Sequence, residues 1–226
     1  MDNEVTATKR NRLFWLGRYA ERTYNSVAVM MDFYDMMIDG PEPDYAGYCA
    51  KMGIPCIYTD INDFMQRHLY DPADLSSCMA TMDAMLGNGM TLRETISTST
   101  LAYLQMAQYS LVYSSEIDNP CVELQKVLDN IMAFRGSFDD TVISENARNI
   151  IKCGRMVERI STMARTGAPE DKLGAEIHKL INRMYKTDVD RDPIYTDIIV
   201  TSVDSSSGRR VPAAILIKAV ENLFKI

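Results

Sequence analysis

Near the start of the chain, apolar residues recur at alternating steps of three and four, which places them on one face of a helix. The pattern runs from about Thr8 to Asp39 and ends at the two prolines of Gly40-Pro41-Glu42-Pro43, which cannot continue a helix. The mainly apolar seam consists of Leu13, Leu16, Ala20, Thr23, Val27, Met30, Tyr34 and Met37. A seam of this length predicts a helix packed in a bundle.

The same layout returns 137 positions later, in a second predicted helix whose first residues Ser144 is expected to cap. Leu16-Gly17-Arg18-Tyr19-Ala20-Glu21-Arg22 reappears as Cys153-Gly154-Arg155-Met156-Val157-Glu158-Arg159. The apolar seam returns as well, as Ile150, Cys153, Val157, Ile160 and Ala164. Because the match covers the whole amphipathic pattern, it predicts two equivalent long helices.

A charged stripe lies opposite the apolar seam in each copy. Its members are Arg18, Glu21 and Arg22 in the first copy and Arg155, Glu158 and Arg159 in the second. Phe14, Trp15 and Tyr19 lie on or beside the first stripe, so the stripe is not plainly solvent-facing. Two interpretations stay open, an interior polar site and an ordinary ion pair on a helix surface. A buried Glu can hold one guanidinium and leave the other to bind a carboxylate or phosphate.

The remainder of the chain also has helical patterning. Helices are predicted from Thr59 or Asp60 to about Leu69, from Leu75 to Leu86, from Met90 to about Ser115, from Asn119-Pro120 to about Phe138, from Glu170 to Tyr185 and from Val211 to Phe224. Residues 187–210 are predicted to be an irregular loop, because a lone strand at Tyr195 to Val203 would have no partner. No strand alternation persists, so the sequence predicts an all-α helical bundle in a single domain, residues 1–226.

Composition and charge narrow the class of protein. The formal net charge is -7, and basic residues do not form long blocks, which argues against nucleic acid as a partner. Five Cys at scattered spacings support neither a zinc site nor a disulfide framework, and sixteen Met are typical of gap-filling in helical cores. The N-terminus lacks a signal-peptide layout and no apolar run reaches membrane-span length, so a cytoplasmic protein without a membrane segment is expected.

Other candidate chemistry is weak. His68 and His178 lack the Glu-x-x-His spacing of a di-iron bundle, and Ser97 has no neighbouring His for a triad. Gly87-Asn88-Gly89 lacks the Lys of a phosphate loop. The sequence therefore predicts neither a metal nor a cofactor.

Three motifs in order resemble those of the bacterial alpha-E family, an all-helical domain named for its Glu-Arg motif. They are the two Gly-Arg-x-x-Glu-Arg copies and, between them, Leu92-Arg93-Glu94-Thr95-Ile96-Ser97. The resemblance covers roughly residues 10 to 166. The central motif departs from the family pattern, because Thr98-Ser99-Thr100-Leu101 stands where an acidic residue and a Trp usually follow. The resemblance implies that the functional positions are Arg18, Glu21, Arg22, Arg93, Ser97, Arg155, Glu158 and Arg159.

Members of this family are typically encoded beside ATP-grasp amidoligases and transglutaminase-like proteins, which implies a role in peptide synthesis or modification. Three hypotheses follow. The protein is an accessory component that binds an acidic peptide, a small anion or a partner enzyme through its Arg/Glu cluster. Alternatively, Glu21 or Glu158 is a general base and the arginines hold a carboxylate or phosphoryl substrate. In the third, the two motifs only form an ion-pair core.

Overall fold

The structure, a computed structural model, describes residues 5–203 and 211–226. These residues form eleven α-helices and no strand, apart from one isolated bridge between Arg191 and Phe224. The helices are α1 (Ala7–Asp39), α2 (Tyr45–Met52), α3 (Ile61–Tyr70), α4 (Cys78–Thr91), α5 (Arg93–Ile96), α6 (Thr98–Ser114), α7 (Cys121–Thr141), α8 (Glu145–Thr166), α9 (Glu170–Met184), α10 (Pro193–Thr201) and α11 (Ala213–Glu221). The all-α prediction is confirmed.

The chain divides into two compact units, and the division falls inside α1. Unit 1 comprises Met1–Arg18 and Ser144–Ile226, and unit 2 comprises Tyr19–Ile143. The first charged motif is therefore divided, because Arg18 belongs to unit 1 whereas Glu21 and Arg22 belong to unit 2.

Unit 1 is built around α8, which packs on α9 and α11, and α10 packs on both of these helices. The predicted seam of α8 forms the core, since Ile150, Cys153, Val157 and Ile160 are at most 1% exposed. The start of α1 contributes Leu13 and Leu16, both fully buried. Burial of this apolar face supplies most of the stability of such amphipathic helices.

Two motif glycines allow α1 and α8 to meet at backbone distance in unit 1. A Cβ atom on Gly17 would overlap the carbonyl oxygen of Ile151 and lie 3.0 Å from the Arg155 nitrogen. A Cβ atom on Gly154 would overlap the carbonyl oxygen of Phe14. The contact is reciprocal, because Phe14 and Ile151 also occupy equivalent positions of the repeat. The glycine before each motif Arg is thus a packing requirement of the helix crossing.

Unit 2 is built around the packed pair α6 and α7, with α4 against α6 and α3 against α4. An aromatic cluster surrounds Phe64 of α3, whose ring is stacked on His68 at 5.0 Å and meets Tyr58 edge-on at 4.9 Å. The Tyr58 hydroxyl donates to Asp74 at 2.5 Å and lies 3.4 Å from His68 Nδ1. His68 is 1% exposed, and burial lowers its pKa from 6.5 to about 4.

Several predicted boundaries hold because local capping decides them. Ser144 accepts a hydrogen bond from the Ala147 nitrogen at the start of α8, as predicted. Asp60 caps α3 in the same way through the Asp63 nitrogen. The prediction of an irregular segment throughout 187–210 is wrong for α10, where Asp192 caps a helix with Pro193 in its first turn. Its β-branched residues become helical because the segment packs on α11. The part of that prediction covering 204–210 lies outside the described residues.

The structure differs from the sequence prediction at three other places. Helix α2 was not predicted, although Asp44 caps its start and Gly53, in a left-handed conformation, ends it. The predicted helix from Leu75 begins instead at Cys78, after the capping residue Ser77. Gly87-Asn88-Gly89 does not break α4; a Cβ atom on Gly89 would lie 2.8 Å from the Leu104 side chain, so this glycine lets α6 approach closely.

Candidate functional site

The charged motifs form a buried ion pair inside unit 1. Arg18 Nε and Nη2 each lie 2.8 Å from Oε2 of Glu158, which belongs to the second copy. The Arg18 guanidinium also lies over the Trp15 ring, 4.8 Å from its centroid. Arg18 is 8% exposed and Glu158 5%, so at these positions the charged stripe is interior, which was one of the two interpretations of the sequence. Neither charge can lose its partner without a large desolvation cost.

Arg155 is the equivalent of Arg18 in the second copy, yet the surroundings of its guanidinium group differ from those of Arg18. The side chain is half-buried, and its Nε atom is buried without a hydrogen-bond acceptor among the described residues. In Arg18 this same atom donates to a carboxylate. A buried guanidinium N–H without an acceptor costs free energy, and in this respect Arg155 differs from Arg18.

Arg159 reaches from α8 towards α9. Its Nε lies 3.5 Å from Oε1 of Glu176, and its side chain is 41% exposed. Glu176 also accepts from Lys179 at 2.8 Å. Unit 1 therefore contains four of the predicted positions, on α1 and α8, namely Arg18, Arg155, Glu158 and Arg159; Arg18 contacts Glu158, whereas Arg159 contacts Glu176 of α9.

Glu21 forms the corresponding buried ion pair of unit 2. Its Oε2 accepts from Arg135 Nη2 at 2.7 Å, and the two side chains are only 1% and 9% exposed. Arg135 lies on α7, with its guanidinium 4.4 Å from the centroid of the Tyr24 ring. Sequence reasoning missed Arg135, because a single Arg between apolar residues carries no signal of the carboxylate it will meet.

The other three predicted positions lie in unit 2 and have different surroundings. The Arg22 guanidinium is 6.0 Å from the Tyr19 ring centroid. Arg93 is exposed at the start of α5. Ser97 caps α6 by accepting from the Thr100 nitrogen at 3.3 Å, in a left-handed backbone conformation with φ 73°. The Ser97 hydroxyl thus has a local structural role, and its partners are Ser99 and Thr100 rather than a member of an Arg/Glu pair.

Cavities lie elsewhere in unit 1. One, of about 280 Å³, is lined by small and apolar residues at the junction of α8 and α9, including Ala164, Gly167 and Leu173. A second, of about 690 Å³, is a more polar groove beside α10, including Asp188, Asp190 and Asp197. Neither cavity is lined by a predicted site residue, so the charged motifs do not open into them.

Residues 5–203 and 211–226 lack two classes of feature. Groups of three or more His, Cys, Asp or Glu arranged to hold a metal ion do not occur there. None of the helices within those ranges combines the length and the hydropathy needed to cross a bilayer.

Comparison with known proteins identifies a family but no individual relative. Neither the curated proteins nor the solved structures provided a match. A family model described as a predicted alpha-helical domain with a conserved ER motif matches residues 9–206. That span covers most of the 226 residues and contains both Glu-Arg pairs, at 21–22 and 158–159. The chain belongs to the Alpha-E family.

Proposed function

We propose that this protein is an accessory component of an ATP-grasp-associated peptide synthesis or modification system, and that it binds an acidic group at Arg155. The observation that carries the proposal is the buried Arg155 Nε, which has no acceptor among the described residues. The acidic group belongs to a peptide or to a partner enzyme. The role is non-catalytic.

The internal repeat supports an anionic ligand at this position. Arg18, the equivalent residue, is held by two N–H groups on one carboxylate oxygen, both at 2.8 Å. The two helices share the glycine crossing that fixes the backbone just before each Arg. A ligand carboxylate at Arg155 would therefore supply the charge-assisted hydrogen bonds that Glu158 supplies to Arg18.

The arrangement of the two glutamates favours binding over catalysis. Glu21 Oε2 accepts from Arg135 at 2.7 Å, and Glu158 Oε2 accepts from Arg18 at 2.8 Å. A general base must reach a substrate proton with an available oxygen, and these oxygens already hold guanidinium groups. The purely structural hypothesis accounts for both ion pairs, but it assigns no role to Arg155.

Family membership supports the proposed partners. The residues that resemble the alpha-E pattern imply a setting beside ATP-grasp amidoligases and transglutaminase-like proteins. Both enzyme classes act on amide and carboxyl groups, so an acidic peptide is a chemically consistent ligand. Because a fold or family alone does not establish a reaction, the ligand class rests on Arg155.

The test is calorimetric titration of the full chain with N-acetylated triglutamate, repeated with Arg155→Ala, Arg155→Lys and Arg93→Ala. Hydrogen bonds to a charged group contribute about 1.5–3 kcal/mol, so Arg155→Ala is expected to weaken binding about tenfold or more. Arg155→Lys should recover only part of the affinity, because an ammonium cannot form the guanidinium fork.

Arg93→Ala is the matched control, since it removes the same charge from an exposed position. Its affinity should equal that of the unaltered protein. Equal affinities for Arg155→Ala and Arg93→Ala, with both proteins folded, would refute the proposed role of Arg155. A second experiment tests whether the acidic group belongs to a partner enzyme. The same variants are co-purified with an ATP-grasp protein whose gene lies beside the gene of this protein.

A further inference from the structure

Helix α6 contains no charged residue over its 17 residues, Thr98–Ser114, and in this it differs from every other helix within residues 5–203 and 211–226. Its buried side packs on α4 and α7 and includes Leu101, Leu104 and Leu111. A helix without a charged face is typical of a segment that is covered on all sides. In unit 2, however, α6 is covered on one side only.

The uncovered side of α6 is mainly apolar. Tyr109 is 80% exposed and Tyr113 51%, and Met106 and Val112 are each 43% exposed. At about 100° per residue these side chains fall within an arc of about 120° that also contains the exposed Gln105. We call these five residues the α6 face. Exposed Tyr and Met side chains without charged residues among them are typical of the core of a protein–protein interface.

The neighbouring helix α7 shows that this composition is not general in unit 2. Met132 of α7 is 52% exposed, but Lys126, Asp129 and Asp139 are also exposed on the same helix. A single apolar side chain among charged ones is ordinary for a protein surface and needs no partner. The contrast identifies the α6 face as a surface suited to contact with another protein.

We propose that the α6 face binds the α6 face of a second copy of this chain, around a two-fold axis at Tyr109. The net charge of -7 makes two copies repel each other wherever acidic surfaces meet. In a two-fold contact a residue near the axis meets its own counterpart, so any charge there would meet a like charge. A charge-free face avoids this cost. A protein of opposite charge would instead be recognised through complementary charges, which the α6 face does not offer.

The α6 face is self-complementary when the two helices run in opposite directions. With the axis at Tyr109, residues that precede it by a given number in one copy meet residues that follow it by the same number in the other. Met106 then meets Val112, and the Gln105 amide meets the Tyr113 hydroxyl, so these polar groups acquire hydrogen-bonding partners. The two Tyr109 rings meet at the axis, where an offset or edge-on contact is favourable.

The size of the α6 face sets the strength of the contact. A standard interface has about 20–30 residues on each side, and one helix face supplies only a fraction of these. We therefore expect a weak dimer, with a dissociation constant on the order of 10 µM. Because two acidic copies repel each other, added salt should strengthen this dimer, whereas it would weaken a contact between opposite charges.

The experiment is sedimentation equilibrium of the full chain at concentrations from about 1 to about 500 µM, on both sides of the expected dissociation constant. The average mass should rise from 25.6 kDa towards twice that value. Tyr109→Glu and Tyr109→Lys each place like charges at the axis, so each should raise the dissociation constant about tenfold or more. An equal mixture of the two variants should dimerise again, because the introduced carboxylate then meets the introduced ammonium group.

Met132→Glu is the matched control, since it introduces the same charge at an exposed apolar position of α7. Its dissociation constant should equal that of the unaltered protein. Circular dichroism establishes that each variant retains its helical content. If a single variant at Tyr109 folds poorly, Val112→Glu provides an independent disruption of the same face and should also raise the dissociation constant.

Three outcomes would overturn the proposal. They are a monomer at every concentration, a dimer that tolerates Tyr109→Glu, and a mixture of the two Tyr109 variants that stays monomeric. The ATP-grasp protein is the alternative occupant. A monomeric protein that co-purifies with that enzyme, and loses it on Tyr109→Glu, would assign the α6 face to the enzyme and would also overturn the proposal.

Discussion

The two copies of the Gly-Arg-x-x-Glu-Arg motif are nearly identical in sequence but differ in what their charges contact. In unit 1, Arg18 is held by Glu158 through two short hydrogen bonds. Its counterpart Arg155 has a buried Nε without an acceptor among the described residues. The glutamates differ as well, because Glu21 in unit 2 is held by Arg135 of α7. A duplicated helix therefore does not imply duplicated chemistry.

The difference shows how a repeat can acquire a binding position. Both copies keep the glycine that the helix crossing requires and the interior charged stripe. Arg155 is the binding position in our proposal, and variants of the two copies test the contrast between them.

Removal of Arg18 should have the largest effect on stability. Arg18→Ala leaves the Glu158 carboxylate buried without this partner, and breaking such a pair typically costs about 3–5 kcal/mol. The loss is measured as the change in the free energy of unfolding by guanidinium chloride. Arg159→Ala is the control, because its partner contact is 3.5 Å long and the side chain is 41% exposed. That variant should lose less than about 1 kcal/mol. Similar losses in the two variants would show that the Arg18–Glu158 pair is not a special feature of the first copy.

Lowering the pH should destabilise unit 2, which contains Glu21, more than unit 1, which contains Glu158. His68 in unit 2 is buried, which lowers its pKa from 6.5 to about 4, while nearby Asp74 raises it only in part. The unfolded chain binds a proton near pH 6.5 and the folded chain does not, so stability falls as the pH is lowered from 6.5 towards 4. The loss reaches about 3 kcal/mol at the lower end of this window.

The measurement is the free energy of unfolding at several pH values across that window. His68→Asn should show a shallower pH dependence, whatever its stability at neutral pH. His178→Asn, at an exposed position of unit 1, should retain the original slope. An unchanged slope in His68→Asn would contradict the assignment of acid sensitivity to unit 2.

Substitution of the crossing glycines should affect the two copies alike. A Cβ atom at Gly17 or Gly154 overlaps a backbone carbonyl, so Gly17→Ala and Gly154→Ala should each destabilise the protein by about 1–3 kcal/mol. Gly174→Ala in α9 is the matched control, because its Cβ would meet nothing within 4 Å. That variant should gain about 0.5–1 kcal/mol from better helix propensity. Thermal unfolding measures all three, and a neutral Gly154→Ala would show that the crossing does not depend on the repeat.

Replacement of Arg155 should have the smallest effect on stability. Arg155→Met removes a buried N–H without an acceptor and leaves a long side chain in its place. The free energy of unfolding should therefore change by less than about 0.5 kcal/mol, or increase. Together with the large loss expected for Arg18→Ala, this result would show that the first copy needs its arginine for stability and the second does not. A loss as large as that of Arg18→Ala would mean that Arg155 has an internal structural role.

The fold class could be predicted because periodicity and capping are local signals. The seam of α8 is buried as predicted, and Ser144 caps that helix. Helix α10 was missed because its β-branched residues suggest extended structure, and its contact with α11 is not visible in a local pattern. The sequence left open whether the charged stripe is interior or on the surface, and the burial of Arg18 and Glu158 in the structure decided it.

The candidate site was predicted only in part. Arg18, Arg155, Glu158 and Arg159 lie on α1 and α8 of one unit, as expected from two equivalent helices. Arg93 and Ser97 came from the family pattern, and the structure places Arg93 at an exposed position and Ser97 at the cap of α6. Arg135 came from no pattern, because long-range ion pairs depend on which helix faces lie opposite each other.

The sequence by itself determined the two amphipathic helices and their repeat, because these depend on the spacing of residues along one helix. Only the tertiary structure decided which guanidinium meets which carboxylate. Ion pairing depends on distances between side chains of different helices, and those distances of 2.7 and 2.8 Å join residues 114 and 140 positions apart. The same dependence left Arg155 with a buried Nε that has no acceptor among the described residues, whereas the Nε of Arg18 donates to Glu158.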